Sequence, residues 1–168
     1  MRYAQIRKYD ISNGPGIRST LFVSGCTHNC KGCFNKDYQD FNYGNQWTKL
    51  VEDTFIEFAK DERVKGINIL GGEPLQQTMD NDLVNLLSAI KAKTNKPIWL
   101  WTGYKIEDVV NSKSIMNILQ YVDVLIDGKF EEDKKDLSLM FRGSSNQRII
   151  DMNFYRTTAI LKTIDILK

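Results

Sequence analysis

The chain has 168 residues, enough for one domain with a hydrophobic core and too few for a second domain of ordinary size. Hydrophobic residues make up 42% and charged residues 26%, and no apolar run approaches the roughly 20 residues that span a bilayer, which excludes a membrane protein. Lys and Arg number 23 against 21 Asp and Glu, and a net charge of +2 is too small to indicate nucleic-acid binding. The N-terminus lacks the apolar stretch of a secretory signal, so we expect a cytoplasmic protein.

Short apolar runs alternate along the chain with longer stretches of helical period. In chain order, they predict a strand over 17–23, a helix over 47–60, a strand over 67–70, a helix over 80–93, a strand over 98–102, a broken helical segment over 105–121 and a strand over 123–126. Each strand ends close to a glycine. The region after residue 130 contains a polar loop, a turn over 141–146 and a tail of mixed periodicity, to which no element is assigned.

This alternation of strands and helices predicts βαβ units and a parallel sheet, hence an α/β fold in a single domain over residues 1–168. A closed eight-stranded barrel needs at least about 200 residues, so the chain can form part of a barrel or a small open sheet. In either case we expect a ligand at the carboxyl ends of the strands. The loops there read SGCTHNCKGCFN, GGEP, GY and DGKF.

The three cysteines, Cys26, Cys30 and Cys33, all lie in the first of these loops, together with the only histidine, His28. An odd number of clustered thiols rules out a disulfide framework and indicates metal or redox chemistry. A catalytic triad or dyad with a separate histidine base is also excluded.

Two kinds of metal site are compatible with this loop. A structural zinc site would take His28 as its fourth ligand, but four donors from one tight loop are a poor match to a tetrahedron, which usually draws two ligand pairs from separate turns. An iron–sulfur cluster fits the count better, because three cysteines can hold three corners and leave the fourth iron open. Electron transfer alone would normally use four cysteines.

The C-x3-C-x2-C spacing of CTHNCKGC resembles that of the radical S-adenosylmethionine (SAM) enzymes. Around it, residues 14–18, Phe22, Gly25 and Asn35 resemble the signature of glycyl radical enzyme activases. Four further segments, GGEP, WLWTGY, DGKF and RGSSNQ, resemble the compact activases of anaerobic ribonucleoside-triphosphate reductases. The resemblance covers about residues 10–147. Larger activases carry an inserted domain with more cysteine clusters, which this chain has neither the cysteines nor the length to form.

The resemblance implies a compact, incomplete (β/α) barrel of parallel strands with helices on the outside. It implies a [4Fe-4S] cluster on Cys26, Cys30 and Cys33, with SAM on the open iron. A reductant such as flavodoxin would supply one electron, SAM would be cleaved, and the 5′-deoxyadenosyl radical would take a hydrogen atom from a backbone glycine of the reductase. The protein itself would need no acid, base or nucleophile.

The resemblance also suggests residues that bind the cofactor near the cluster. Gly32, Cys33 and Phe34 would lie beside it, with Phe34 against the adenine, although an isolated aromatic residue is more often core packing. Gly71 and Gly72 would let the backbone approach the methionine amino group.

Four further residues complete the predicted cofactor site. Glu73 would be a polar partner of the amino group, and Thr102 would meet the ribose. Asp127 and Lys129, two positions apart, would share a side of a continuing strand, with Lys129 neutralising the cofactor carboxylate; a turn-forming Asp and a solvated Lys are the alternative.

Other segments receive less specific predictions. Residues 13–16 would lie near the glycine loop of the partner, or form only a turn. The sequence gives no role to His28 and no mechanism to residues 142–147. Residues 152–168 form a C-terminal extension that is expected to pack on the open edge of the sheet.

Competing functions remain at this point: an activase of another glycyl radical enzyme, a small-molecule radical SAM enzyme, a zinc-stabilised interaction module, or an electron-transfer protein. We expect no nucleic-acid or membrane partner.

Overall fold

The structure is a computed structural model that describes residues 1–165. Within this range the strands are β1 (Arg2–Asp10), β2 (Arg18–Val23), β3 (Asn45–Gln46), β4 (Gly66–Gly71), β5 (Ile98–Trp101), β6 (Val124–Asp127) and β7 (Arg148–Asp151). The helices are α1 (Lys49–Lys60), α2 (Asp82–Lys93), α3 (Ile106–Val109), α4 (Lys113–Leu119) and α5 (Met152–Thr158), with 3-10 turns at Lys36–Gln39, Pro74–Gln76 and Glu132–Lys134. No helix in the described part of the chain is long and apolar enough to cross a membrane.

One mixed sheet organises these elements, with strand order β3-β1-β2-β4-β5-β6-β7. The four central strands, β2, β4, β5 and β6, are parallel, and helices connect them in sequence. The outer strands β1, β3 and β7 are antiparallel to their neighbours. The carboxyl ends of the four parallel strands therefore meet along one edge of the sheet.

The two faces of the sheet differ because side chains alternate along each strand. Leu21, Ile69 and Leu100 are fully buried in the main core, where they pack with α1, α2 and α4. The opposite face carries Phe22 and Trp99 and is free of these helices. Loops cover that second face, and a cavity lies between the loops and the sheet.

The expected parallel strands and helices are largely confirmed, but the incomplete barrel is not: the sheet is open, and only its centre is parallel. No α-helix lies between β1 and β2 or between β6 and β7. The two strands of each pair are therefore antiparallel neighbours, whereas parallel neighbours would need a crossover connection. The sequence prediction missed both β1 and β7. For β1 the reason is that the strand is polar and only half-buried along most of its length.

Residues 162–164 lie along the outer edge of β7. The amide of Asp151 donates to the carbonyl of Lys162 at 3.0 Å, and the amide of Ile164 donates to that of Ile149 at 2.8 Å. Residues 162–164 therefore satisfy backbone groups of an edge strand. The last part of the predicted C-terminal extension, residues 166–168, lies outside the described residues.

Arg148 ties the end of β6 to β7 and α3. Its Nε donates to Asp127 Oδ1 at 2.9 Å and its Nη2 to Oδ2 at 2.5 Å, while Nη1 donates to Glu107 Oε1 at 2.8 Å. Asp127 is fully buried and also accepts from the amide of Ile106 at 3.0 Å. The hydrogen bond with Arg148 lowers the pKa of Glu107 to about 2.

This pair gives a pH-dependent contribution to stability that can be measured. Because the pKa of Glu107 is depressed in the folded protein, the contribution is present above the ordinary glutamate pKa of about 4.3 and is lost as the pH falls towards 2. We expect Glu107→Gln to lower the free energy of unfolding near neutral pH by no more than about 1 kcal/mol, since Glu107 is half-exposed. Urea unfolding should show this difference shrinking below pH ~4. A difference that stays constant down to pH ~2 would contradict the role of the ion pair.

Candidate cofactor site

A cavity of about 480 Å³ opens at the carboxyl ends of the parallel strands. It is bounded by the cysteine loop, by the turns after β4 and β5 and by the segment that follows β6. The residues that line it are Arg7, Ser12, Asn13, Phe22, Cys26, His28, Cys30, Cys33, Phe34, Asn35, Gln39, Leu70, Gly71, Gly72, Glu73, Trp101, Thr102, Gly103, Gly128, Phe130, Asp136, Leu137, Leu139, Phe141, Arg142, Gly143 and Gln147. The cavity thus lies where the strand-end rule predicts a ligand.

The three cysteines face this cavity from one loop. All three are free and half-buried. Backbone hydrogen bonds anchor the start of the loop, from Gly25 to the carbonyl of Tyr38 at 2.8 Å and from Cys26 to that of Gln39 at 3.0 Å. Three cysteines on one loop at a cavity wall suit the three-cysteine ligand set of an iron–sulfur cluster.

Burial raises the pKa of the Cys26 thiol to about 11, and it also raises the pKa of Cys30. Thiolates are the form that binds metal, so the positive charge of iron must compensate for the cost of deprotonating these groups. Among the described residues, no three His, Cys, Asp or Glu side chains converge closely enough to hold a single ion.

Glu73 forms a junction between the cysteine loop and the end of β5. Its side chain is 1% exposed, and Oε1 accepts from the amide of Leu75 at 2.9 Å and from the hydroxyl of Thr102 at 2.8 Å. Oε2 accepts from the amide of Gly103 at 2.8 Å and lies 2.8 Å from Nε2 of His28. A buried carboxylate requires such partners, and here they come from three separate segments.

His28 is the main functional residue that the sequence analysis missed. Its ring contacts Glu73 and packs edge-on against Tyr104, with 4.5 Å between ring centroids. Gly103 leaves room for it, since a Cβ there would lie 2.5 Å from Cδ2 of His28. The ring of His28 is thus engaged by Glu73 and Tyr104 within the protein. Its location in the loop is visible in the sequence, but its partner 45 positions away is not.

Gly71 and Gly72 bring the end of β4 against the start of the cysteine loop. Gly71 has φ +112°, and a Cβ at Gly71 would lie 2.6 Å from the carbonyl oxygen of Val23. A Cβ at Gly72 would lie 2.6 Å from that of Gly25. The absence of side chains is therefore required by backbone packing, and it leaves backbone groups accessible at the cavity wall.

Phe34 lies at the cavity and is not core packing, since it is 61% exposed. Its ring is 5.0 Å from that of Phe130. Gly32, which the sequence places beside it, is an exposed residue with φ +69° on the outer side of the loop, close to Glu132.

Three predicted cofactor-binding residues do not line the cavity within the described chain: Gly32, Asp127 and Lys129. For Asp127 and Lys129 the reason lies in the backbone. The strand ends at Asp127, and Gly128 has φ +99°, so the two side chains do not share the side of one continuing strand. Asp127 is bound to Arg148, on the face that packs against the helices, and Lys129 is exposed.

The loop between β1 and β2 reaches the opposite wall of the cavity through Ser12 and Asn13. The carboxylate of Asp10 accepts from the amide of Ser12 at 2.9 Å and from Nδ2 of Asn13 at 2.7 Å. Behind them, Asn68 donates to the carbonyl of Asn13 and accepts from Nε of the buried Arg18 at 2.5 Å. The loop is thus fixed by a polar network inside the fold.

Comparison with known proteins assigns this arrangement to a family. A family model described as a 4Fe-4S single cluster domain matches residues 12–150. The chain is 46% identical over 150 residues to the anaerobic ribonucleoside-triphosphate reductase-activating protein of Escherichia coli K12, covering 88% of this chain and 96% of that protein. The chain belongs to the anaerobic ribonucleoside-triphosphate reductase-activating protein family.

Relatives of the same description occur in other sources. The protein of Vibrio cholerae is 41% identical over 152 residues, which is 89% of this chain and 97% of that protein. The protein of Enterobacteria phage T4 is 39% identical over 150 residues, which is 89% of this chain and 93% of that protein. The matched family model supports a 4Fe-4S cluster within residues 12–150.

The contact between His28 and Glu73 predicts a stability effect. In His28→Phe, Oε2 of Glu73 retains only the amide of Gly103, so we expect the free energy of unfolding to fall by about 1–3 kcal/mol in urea denaturation of the metal-free protein. Lys31→Ala is the control, since Lys31 is exposed in the same loop and pairs only at the surface with Glu132; it should change this energy by less than about 0.5 kcal/mol. Equal losses in both variants would show that the contact contributes nothing specific.

Proposed function

We propose that this chain activates an anaerobic ribonucleoside-triphosphate reductase by reductive cleavage of SAM at a [4Fe-4S] cluster. The observation that carries the proposal is the set of three cysteines that face one cavity together with the glycine turn after β4. The relatives named above are described as activating proteins of that reductase. The 4Fe-4S family model supports the identity of the metal group.

The chemistry belongs to the cofactors. When bound, a reduced [4Fe-4S] cluster would supply the electron for reductive cleavage of SAM, and the resulting 5′-deoxyadenosyl radical would take a hydrogen atom from a backbone glycine of the reductase. A one-electron donor such as flavodoxin would restore the cluster. Cys26, Cys30 and Cys33 would hold three irons of that cluster and leave the fourth for SAM.

The cavity wall supplies the SAM-binding groups in this proposal. Backbone groups at Gly71 and Gly72 approach the methionine amino group, since neither residue has a side chain in the way. Phe34 offers an exposed ring for the adenine. Contact between Thr102 and the ribose stays a prediction, which is not favoured by its hydroxyl already donating to Glu73 and accepting from the amide of Tyr104. Glu73 acts on the site indirectly, because four donors within the protein already occupy its oxygens.

The remaining predicted contacts need to be reassigned or tested. Gly32 and Cys33 place the loop backbone beside the cluster. For Asp127 we propose a supporting role through Arg148, since its carboxylate faces away from the cavity. Direct contact between Lys129 and SAM stays a prediction, which its exposed position does not favour.

Hydrogen-atom transfer needs placement and exclusion of water rather than an acid or base. This agrees with the composition of the site, where the only histidine of the chain is bound to Glu73. Ser12 and Asn13 line the cavity beside residues 14–16, and we propose that this loop meets the glycine segment of the reductase.

The proposal is tested with the anaerobically reconstituted protein, a strong reductant, SAM and a purified anaerobic ribonucleoside-triphosphate reductase. We expect 5′-deoxyadenosine by chromatography and a glycyl radical signal on the reductase by electron paramagnetic resonance. Cys30→Ala should lose both products, because two thiolates do not retain the cluster. Lys31→Ala, a change at the neighbouring exposed residue, should keep both.

The possible failures of this experiment have different meanings. SAM cleavage by Cys30→Ala would overturn the cluster assignment. If the unsubstituted protein cleaves SAM but no radical forms on the reductase, the assignment of the reductase as the partner would be wrong. The remaining functions would then be activation of another glycyl radical enzyme or radical chemistry on a small molecule.

A further inference from the structure

Arg18, at the start of β2, is a buried cation that the proposed function does not use. Its side chain is 1% exposed and stacks on Trp99, with 5.0 Å between Cζ and the ring centroid. Its hydrogen-bond acceptors in the described chain are all uncharged: Oδ1 of Asn68 at 2.5 Å and the carbonyls of Ile67 and Pro97 at 3.0 and 3.2 Å. Burial lowers the pKa of Arg18 to about 10, so the group is still charged at neutral pH. Because the desolvation of such a cation is costly, stability alone does not explain its presence.

A series of hydrogen bonds connects Arg18 to the loop between β1 and β2. Nδ2 of Asn68 donates to Oγ1 of Thr20 at 3.1 Å, and the hydroxyl of Thr20 donates to Oδ2 of Asp10 at 2.7 Å. Nδ2 of Asn68 also donates to the carbonyl of Asn13. The direction of the series is fixed, because a guanidinium can only donate and an ionised carboxylate can only accept. The Asn68 amide therefore has a single orientation, with its oxygen towards Arg18 and its nitrogen towards the loop.

This network holds the loop at more than one point. The carboxylate at its end accepts from the amide of Ser12 at 2.9 Å and from Nδ2 of Asn13 at 2.7 Å. The next residue, Gly14, packs directly on the side chain of Arg18: its φ is +93°, and a Cβ there would lie 2.8 Å from Cδ of Arg18. A shift of the loop would therefore break hydrogen bonds to buried groups, which is costly.

Arg18 and Asn68 act on the cavity only through this loop. Neither residue lines the cavity, whereas Ser12 and Asn13 do. The hydroxyl of Ser12 and Oδ1 of Asn13 make no hydrogen bond with another described residue, so both are available to a ligand. A glycine segment presents mainly backbone amides and carbonyls, and a hydroxyl and an amide oxygen are suitable partners for those groups.

We propose that Arg18 and Asn68 are positioning residues for recognition of the reductase, an inference that rests on the proposed function. They hold Ser12 and Asn13 in the arrangement that receives the glycine segment on the wall opposite the cysteine loop. The network then determines whether the 5′-deoxyadenosyl radical takes its hydrogen atom from that glycine. It leaves the cleavage of SAM unchanged, because none of its members belongs to the cysteine loop or to the turn after β4.

The test measures what fraction of the radicals reaches the reductase. Anaerobically reconstituted protein with full iron content is mixed with reductant, SAM and purified reductase. The glycyl radical is quantified by electron paramagnetic resonance and 5′-deoxyadenosine by chromatography. The ratio of these two products is then compared between the unsubstituted protein and its variants.

Asn68→Asp is the principal variant. Its Oδ1 still accepts from Arg18, so the buried cation keeps a partner, while the donors to Thr20 and to the carbonyl of Asn13 are lost. We expect the number of glycyl radicals per 5′-deoxyadenosine to fall at least about tenfold, because a small misplacement of a bound segment strongly slows transfer. Without reductase, the rate of 5′-deoxyadenosine formation should stay within about twofold of that of the unsubstituted protein.

Arg18→Lys tests the other end of the network. Lysine keeps the charge and lacks the planar guanidinium that binds Asn68 and the two carbonyls together, so we expect a smaller fall in the ratio, about threefold. Hydrogen exchange of the backbone amides in residues 11–17, measured without SAM and reductase, should be faster in both variants, because the bonds that hold the loop are weakened.

Phe55→Leu is the control for a general loss of stability. Phe55, in α1, is fully buried in the main core on the face of the sheet away from the cavity. The change should lower the urea midpoint of unfolding without touching the loop. We expect both the product ratio and the exchange of residues 11–17 to stay within about twofold of the unsubstituted protein.

Several outcomes would overturn the inference. An unchanged ratio in Asn68→Asp together with faster exchange of residues 11–17 would show that this loop does not receive the glycine segment. An equal fall in SAM cleavage without reductase would place the effect at the cofactor site, and a comparable fall of the ratio in Phe55→Leu would attribute it to stability. If the unsubstituted protein forms the glycyl radical and Asn68→Asp forms it equally well, this inference alone fails; if the unsubstituted protein forms none, the proposed function fails with it.

Discussion

The buried carboxylate of Glu73 is the constraint on which the site depends. A fully buried polar group of this kind is costly unless it is hydrogen-bonded; here Leu75, Thr102 and Gly103 donate to it, and Nε2 of His28 lies within hydrogen-bond distance. These partners come from the turn after β4, the end of β5 and the cysteine loop. Their convergence on one group fixes the relative placement of three segments that have no direct connection in the chain, and so it fixes where the cysteines face.

The sheet makes this convergence possible. Four parallel strands deliver their carboxyl ends to one edge, and helices occupy only one face, so the opposite face is left for the cavity. Glycines at the end of β4 allow the cysteine loop to approach the strand closely. The segment from Gly128 to Gln147 then closes the cavity without a helix, and β7 returns antiparallel to β6. An open sheet with one face covered by loops can therefore enclose the cavity in a chain of this length, whereas a closed barrel would need a longer chain.

The sequence predicts the helical regions of α1 to α4 and the central strands, because apolar periodicity carries that information, whereas α5 lies in the tail to which no element was assigned. The metal site on the three cysteines stays a prediction from their local spacing. It does not predict β1, whose stability comes from pairing with β2 rather than from its own polar residues. It misses the role of His28, since a long-range partner leaves no local signal. It places Asp127 and Lys129 together only by assuming a continuous strand, which the left-handed conformation of Gly128 interrupts. The hydrogen bonds from Arg18 through Asn68 to Asn13 likewise become visible only in three dimensions.

The central claim is that three cysteines hold a cluster whose fourth iron faces the cavity. The most direct measurement is electron paramagnetic resonance of the anaerobically reconstituted, reduced protein during a titration with SAM, with metal content determined on the same sample. The account predicts about four irons per chain and a cluster signal whose g values change as SAM binds. Bound zinc with no cluster signal, or a cluster signal that SAM leaves unchanged, would contradict it.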